Sequence, residues 1–305
     1  MLDLVIVGGG PASVAAGVYA ARKKMKTLLI TDSFGGQSLV SADVQNWIGD
    51  KHLTGLELAE KLEGHLRAQE DIEISDGDLV NLIEKQEIGF KVSTKNSKFY
   101  ETKTLLIASG SRRKRLNVIG EDKLDGKGVA YCSTCDAPLF KDKVVAVIGG
   151  GNAGLEAALD LASYASKIYI LARGSALRGD PISEEKVRSN KKIEIIFNVA
   201  VEEILGENFV SGLKYKDLIS GSSKELKLEG VFVEIGSIPN NDFVKGLVEL
   251  NKTGEIIIDP RTQKSSADGI WAVGDVSNVV YKQNNIAAGD AIKAVLNIYE
   301  YLNKN

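Results

Sequence analysis

Leu2-Asp3-Leu4-Val5-Ile6-Val7-Gly8-Gly9-Gly10-Pro11-Ala12-Ser13 opens the chain, and Lys143-Val144-Val145-Ala146-Val147-Ile148-Gly149-Gly150-Gly151-Asn152-Ala153-Gly154 repeats its plan about 140 residues later. Each copy is a short β-rich apolar run, a glycine turn and the start of an alanine-rich segment with helical spacing, Pro11 to Arg22 in the first and Asn152 to Ala165 in the second. Each is followed by a second apolar run, Thr27 to Ile30 or Lys167 to Leu171, so each reads as a βαβ unit. A repeat of this period is a duplication on the scale of a domain rather than a solenoid. The expected fold is α/β, with two Rossmann-like dinucleotide-binding domains, the second inserted into the first.

Length agrees, since 305 residues exceed one average domain. Strand-like alternation at Ile72 to Lys95 and Lys103 to Ala108 extends the first domain, and Ile193 to Phe197, Val210 to Lys216, Lys224 to Leu228 and Gly230 to Ile235 extend the second. A strand at Gly269 to Val273 and a helix at Asn285 to Leu302 close the chain. Turn-rich or basic stretches at Ser111 to Arg115 and Ser237 to Asn241 mark the boundaries, giving 1–114 with 242–305 as one domain and 115–241 as the inserted one. The run Arg112-Arg113-Lys114-Arg115 reads most simply as a solvated loop, with a docking patch for an acidic partner or a cofactor phosphate as the alternative.

Composition excludes several classes of function. Hydrophobic residues at 44% and charged residues at 26% are those of a globular protein. A net charge of −3 provides no basic field for nucleic acid or anionic lipid. The start Met1-Leu2-Asp3 lacks the basic and apolar regions of a signal peptide, and no run approaches 18 apolar residues, so a cytoplasmic protein that binds neither nucleic acid nor membrane is expected.

The glycine turns predict phosphate sites. In Gly8-x-Gly10-x-x-Ser13 and Gly149-x-Gly151-x-x-Gly154, glycine permits a tight turn and close approach of backbone to a pyrophosphate at the helix N-terminus, where Pro11 and Ala12, or Asn152 and Ala153, follow. What ends the second strand separates the two. Counting 22 residues from the middle glycine reaches Asp32, after Thr31, in the first copy and Arg173 in the second. An acid suits the hydroxyls of a plain ribose, as in FAD, and an arginine suits a 2′-phosphate, as in NADPH. Arg178 supplies a second cation near Arg173, although both arginines are also explicable as solvated surface residues.

The chain's two cysteines form Cys132-Ser133-Thr134-Cys135, with Asp136 next. Structural zinc needs about four ligands, and only His52 and His65 are available to add, so no metal is expected and a redox dithiol is favoured. One thiolate attacks a disulfide and its neighbour resolves the mixed disulfide. Asp136 is placed to exchange protons with the pair as a general acid and base, or more simply to cap a helix.

Two dinucleotide folds with Cys-x-x-Cys-Asp at the start of the inserted one resemble the thioredoxin reductase family of low molecular weight flavoproteins, over essentially the whole chain. Gly35-Gly36-Gln37, Asn46-Trp47-Ile48-Gly49-Asp50, Ala108-Ser109-Gly110, Gly236 with Pro239-Asn240, Gly274-Asp275, Tyr281-Lys282-Gln283 and Ala287-Ala288-Gly289 carry the likeness. The resemblance implies an FAD held by Gly8, Gly10, Gly35, Gly36, Gln37, Asn46, Gly110, Gly274, Asp275, Lys282 and Gln283. It also implies electron flow from NADPH through flavin to Cys132 and Cys135, then to a thioredoxin-like or other small dithiol protein. Cys135 would face the flavin and Cys132 would attack the partner, in a homodimer whose inserted domain rotates.

Three positions depart from the family pattern. Ala172-Arg173-Gly174 stands where the family usually has His-Arg-Arg, which leaves NADH as an alternative donor. Ala137-Pro138-Leu139-Phe140 and Lys282 look more like the flavoprotein partner of alkyl hydroperoxide reductase, though the extra N-terminal dithiol domain of that branch is not expected here. The alternatives are therefore an NADH-dependent reductase of a peroxiredoxin-linked dithiol carrier, a ferredoxin-linked reductase, or a flavin redox sensor without turnover.

Overall fold

A computed structural model describes residues 1–41 and 44–304. The chain divides into two compact units, and it passes from the first to the second between Arg112 and Arg113 and returns between Ser237 and Ile238.

In the first unit, parallel strands lie in the order Ile72–Asp76, Thr27–Thr31, Leu2–Val7 and Phe99–Ile107. The nine-residue strand Phe99–Ile107 serves two neighbours in succession. Its first half pairs antiparallel with Phe90–Thr94, and its second half pairs parallel with Ile270–Ala272, Leu105 lying opposite Ile270. Leu2–Val7 is apolar at alternate positions on both faces because both faces are covered. Leu4 and Ile6 pack with Val14, Val18, Val295 and Ile298 from the helices Pro11–Arg22 and Asn284–Lys304. Val5 and Val7 pack with Val92, Ile256 and Val276 on the other side. Gly17 lets the first helix lie close to its neighbour, for a Cβ there would fall 2.5 Å from Leu66 Cδ1.

The second unit repeats the plan. Its parallel sheet runs Ile193–Phe197, Lys167–Ala172, Val144–Ile148, Gly230–Val233 and Val129–Ala130, with the helix Asn152–Ala162 packing Leu155, Ala158 and Leu161 against Val145, Val147 and Ile170. A three-stranded antiparallel sheet, Val199–Gly206, Val210–Asp217 and Ser223–Lys227, packs Ile204, Val210 and Leu213 against the opposite residues Ala146, Ile148 and Val231. No helix among the described residues is long and apolar enough to cross a membrane.

The basic run is solvent-exposed at Arg112, Lys114 and Arg115, yet two of its cations also have partners. Arg115 pairs with Asp122 and Asp125 and its guanidinium lies 5.2 Å over the Tyr131 ring, while Arg112 donates to Asn240 Oδ1 at 2.9 Å. Asn240 reaches Arg112 from a distant segment, whereas Asp122 and Asp125 reach Arg115 from the turn that follows the run.

Candidate functional site

The glycines of the first turn have separate duties. Gly8 has φ +128°, and a Cβ on it would lie 2.4 Å from the Ala108 carbonyl oxygen, so glycine is required by the fold. Ser13, where the repeat has glycine, is fully buried and donates to that same carbonyl at 3.2 Å. Gly10 is different. It has φ −80° and ψ −178°, and a Cβ would meet nothing within 4 Å. Neither strain nor crowding within the chain demands glycine here, and the missing side chain leaves the backbone of the turn open to close approach. The helix after it has no side-chain cap, so its first N–H groups remain available.

Residues from four distant segments of this unit converge. Gln37 Nε2 donates to Asp275 Oδ2 at 3.0 Å and to Ser111 Oγ at 3.3 Å. Asn46 Nδ2 donates to Gln283 Oε1 at 3.3 Å, and Asn285 Nδ2 donates to the Asn46 carbonyl at 2.7 Å. Gly274, with φ +69°, lies beside the first helix, its Cβ position 3.6 Å from Ala12 Cβ. A Cβ on Gly36, with φ +59°, would be 3.5 Å from Gly10 Cα. Gly35 is bonded to the glycine turn through its N–H, which donates to the Gly9 carbonyl at 2.9 Å. Thr31 is buried, with its hydroxyl on the Ser33 carbonyl, and Asp32 after it is exposed at the strand end. Gly110, with φ +64°, has open space at its Cβ position and accepts from Asn240 N–H at 3.0 Å. Lys282 is held by the chain, since its ammonium lies on Glu255 and on the carbonyls of Asp275 and Ser277.

The second turn reproduces the division of labour. Gly149 has φ +136° and a Cβ there would be 2.3 Å from the Glu234 carbonyl oxygen, whereas Gly151, at φ −97° and ψ −177°, has nothing within 4 Å. Gly154 is forced by packing, 2.1 Å from the Gly149 carbonyl. Arg178 N–H donates to the Gly150 carbonyl at 2.7 Å, which ties its segment to the turn. Asn152 Oδ1 accepts from Asp180 N–H at 2.7 Å, and Ala153 is exposed. The side chains of Arg173 and Arg178 are exposed and make no ion pair among the described residues.

In the same unit a disulfide joins Cys132 and Cys135, their Cα atoms 5.4 Å apart. Cys132 is the N-cap of the short helix Ser133–Asp136, and Ser133 Oγ donates to Asp160 Oδ2 at 2.9 Å. Asp136 does not cap, as no side-chain bond is made at that position to the turn Ala137–Phe140. Burial, and then the charge of Asp125, push its carboxyl up to about 6. Glu234 escaped the sequence reading. Burial pushes its carboxyl up to about 7, with Arg113 and the Ser133 N–H drawing it back down and Asp160 and Glu156 adding to the rise. The duplication itself carried the signal, because Glu234 stands against Gly149 as Ala108 stands against Gly8. Ser111 and Glu255 were missed for want of any local pattern.

Two glycine turns with open middle positions and a cysteine pair beside a proton-holding acid define a dinucleotide-binding redox class. The chain belongs to the pyridine nucleotide-disulphide oxidoreductase family, which it matches over residues 2–291. It is 42% identical over 303 residues to the F subunit of alkyl hydroperoxide reductase from Staphylococcus aureus, covering 99% of this chain and 59% of that protein, so it spans about three fifths of the relative's length. The solved thioredoxin reductases of Giardia duodenalis and Streptococcus pyogenes each superpose with a TM-score of 0.92, at 31% and 33% identity. The first alignment covers 99% of both chains, the second 100% of this one and 99% of the other.

Proposed function

We propose that this chain is a flavin-dependent disulfide reductase, with FAD on the first unit and NADPH, or NADH in its place, on the second, passing electrons through Cys132 and Cys135 to the disulfide of a small dithiol protein. The observation that carries the reading is the Cys132–Cys135 disulfide at the head of a dinucleotide unit, beside an acid that holds its proton to about pH 6. Gly10 and Gly151 support the two cofactor assignments, because each leaves space at the backbone that nothing in the chain uses. When bound, FAD accepts the electron pair of the nicotinamide hydride and hands it to the disulfide.

Reduction breaks the Cys132–Cys135 bond and leaves two thiols after uptake of two protons. The Cys132 thiolate attacks one sulfur of the partner's disulfide, and the other partner sulfur leaves as thiolate. Cys135 then attacks Cys132, restores the internal disulfide and releases the reduced partner, so two electrons and two protons are delivered. Asp136 is suited to hold and return one of these protons. Assembly as a homodimer belongs to the same reading.

Two partners are in view, a thioredoxin-like protein and the dithiol carrier of a peroxiredoxin, the latter favoured by the likeness to the alkyl hydroperoxide reductase flavoprotein. Anaerobic titration of the flavin with NADPH and with NADH, followed by addition of each disulfide partner, tests the whole scheme. Bleaching by a nicotinamide followed by many turnovers per flavin is expected. Undiminished disulfide reduction by a Cys135→Ser protein would sink it.

A further inference from the structure

The ammonium of Lys282 has three protons to donate, and the chain accepts all three. Its Nζ is 2.9 Å from Glu255 Oε1, 2.5 Å from the Ser277 carbonyl oxygen and 3.3 Å from the Asp275 carbonyl oxygen. Both partners of the ion pair are well covered, with side-chain exposures of 24% and 20%. Glu255 is itself fixed, because its other contacts are Asn251 Nδ2 at 2.6 Å and Thr253 Oγ1 at 3.0 Å. Burial raises the Glu255 carboxyl, but the bonds from Lys282 and Asn251 outweigh it and hold the group below the usual carboxylate range. The segment after Glu255 is joined to the same turn, since Ile256 N–H donates to the Val276 carbonyl at 2.9 Å. Gly274–Val276 is therefore held through its backbone by Lys282 and Ile256, while Gln37 and Ser111 hold the Asp275 carboxylate.

We infer that Glu255 and Lys282 form a charged clamp that positions Asp275 for the flavin dinucleotide, and that Lys282 acts on the bound cofactor through the chain rather than by touching it. The inference rests on the flavin reading of the first unit. A cation that has no free proton cannot donate to a ligand unless it gives up an internal bond, and each of these bonds is to a charged or carbonyl oxygen in a half-buried place. Glu255 becomes a positioning residue for the site although it lies outside every motif.

The sign of one substitution separates positioning from direct contact. Full-length apoprotein, as wild type, Glu255→Gln, Lys282→Met and the double variant, is titrated with FAD by quenching of flavin fluorescence, and the melting temperature of each apoprotein is recorded alongside. The clamp requires that Glu255→Gln and Lys282→Met each weaken FAD binding by about tenfold, and that the double variant bind no more weakly than the weaker single. If Lys282 touches the cofactor, Glu255→Gln releases the ammonium and leaves binding unchanged or tighter, which overturns the inference. Lower melting temperatures with unaltered FAD affinity also overturn it, because the pair would then be structural alone. A wild-type protein that takes up no FAD overturns the flavin reading and the clamp together, whereas binding by the wild type with equal binding by Glu255→Gln overturns the clamp alone.

Discussion

The backbone of Gly149 runs so close to Glu234 that a Cβ on the glycine would lie 2.3 Å from the Glu234 carbonyl oxygen, and the same relation holds between Gly8 and Ala108 at 2.4 Å. Close packing of a strand end against the turn is thus built into both units, and it is separable from ligand binding. Gly149→Ala, at φ +136°, should cost at least about 2 kcal/mol of stability. Gly151→Ala, with ordinary φ and open space, should be neutral or stabilise by about 0.5 kcal/mol, yet weaken nicotinamide nucleotide binding by about tenfold or more. Thermal melts paired with nucleotide titrations read both effects, and unaltered binding by Gly151→Ala would remove the case for that site.

Arg173 and Arg178 make no ion pair with other described residues, so their charges are available to a ligand. Alanine at either position should weaken NADPH binding by about ten- to a hundredfold and leave NADH binding within about twofold. Equal losses for the two nucleotides would show that neither arginine reads a 2′-phosphate.

Asp136 predicts a pH dependence of stability with a definite sign. Its folded value of about 6 lies above its ordinary 3.8, so the neutral form is favoured by folding. The associated stability is complete below about pH 4 and is lost as pH rises through 6. In the oxidised protein Asp136→Asn should therefore match wild type near pH 4 and exceed it at pH 7.5, by on the order of 1–2 kcal/mol after allowance for partial exposure. Melting temperatures across that range check it, and a constant difference would contradict the raised value.

Glu234 should report on the reduced dithiol. Its carboxyl, raised to about 7, faces the Ser133 N–H next to Cys132, so its ionisation adds negative charge where a thiolate would form. Glu234→Gln should alkylate with iodoacetamide roughly two- to tenfold faster than wild type above pH 7, and at the same rate near pH 5.5. Superimposable pH–rate profiles would show that Glu234 does not act on the thiols.

The βαβ units were readable because their determinants are local. A buried parallel strand needs a short apolar run such as Val144–Ile148, a tight turn needs glycine at fixed offsets, and the helix that follows needs small residues against the sheet. The cysteine pair was equally legible, its spacing being a property of three consecutive peptide bonds. The closing helix, expected from Asn285 to Leu302, runs Asn284–Lys304, a difference of the kind that fraying ends produce.

Neighbouring residues are enough to specify the two dinucleotide units, the glycine turns and the dithiol with its acid, since each is written in a short stretch of chain. Which distant side chains meet is set by packing. Gln37 and Asp275 are 238 positions apart and share a hydrogen bond, and no spacing rule connects them. The acceptance of all three Lys282 protons within the chain likewise comes from the fold that brings Glu255 to it. Asp136 and Glu234 are raised to about 6 and about 7 for the same reason, because proton affinity depends on burial and on the charges brought alongside, and both are properties of the packed chain.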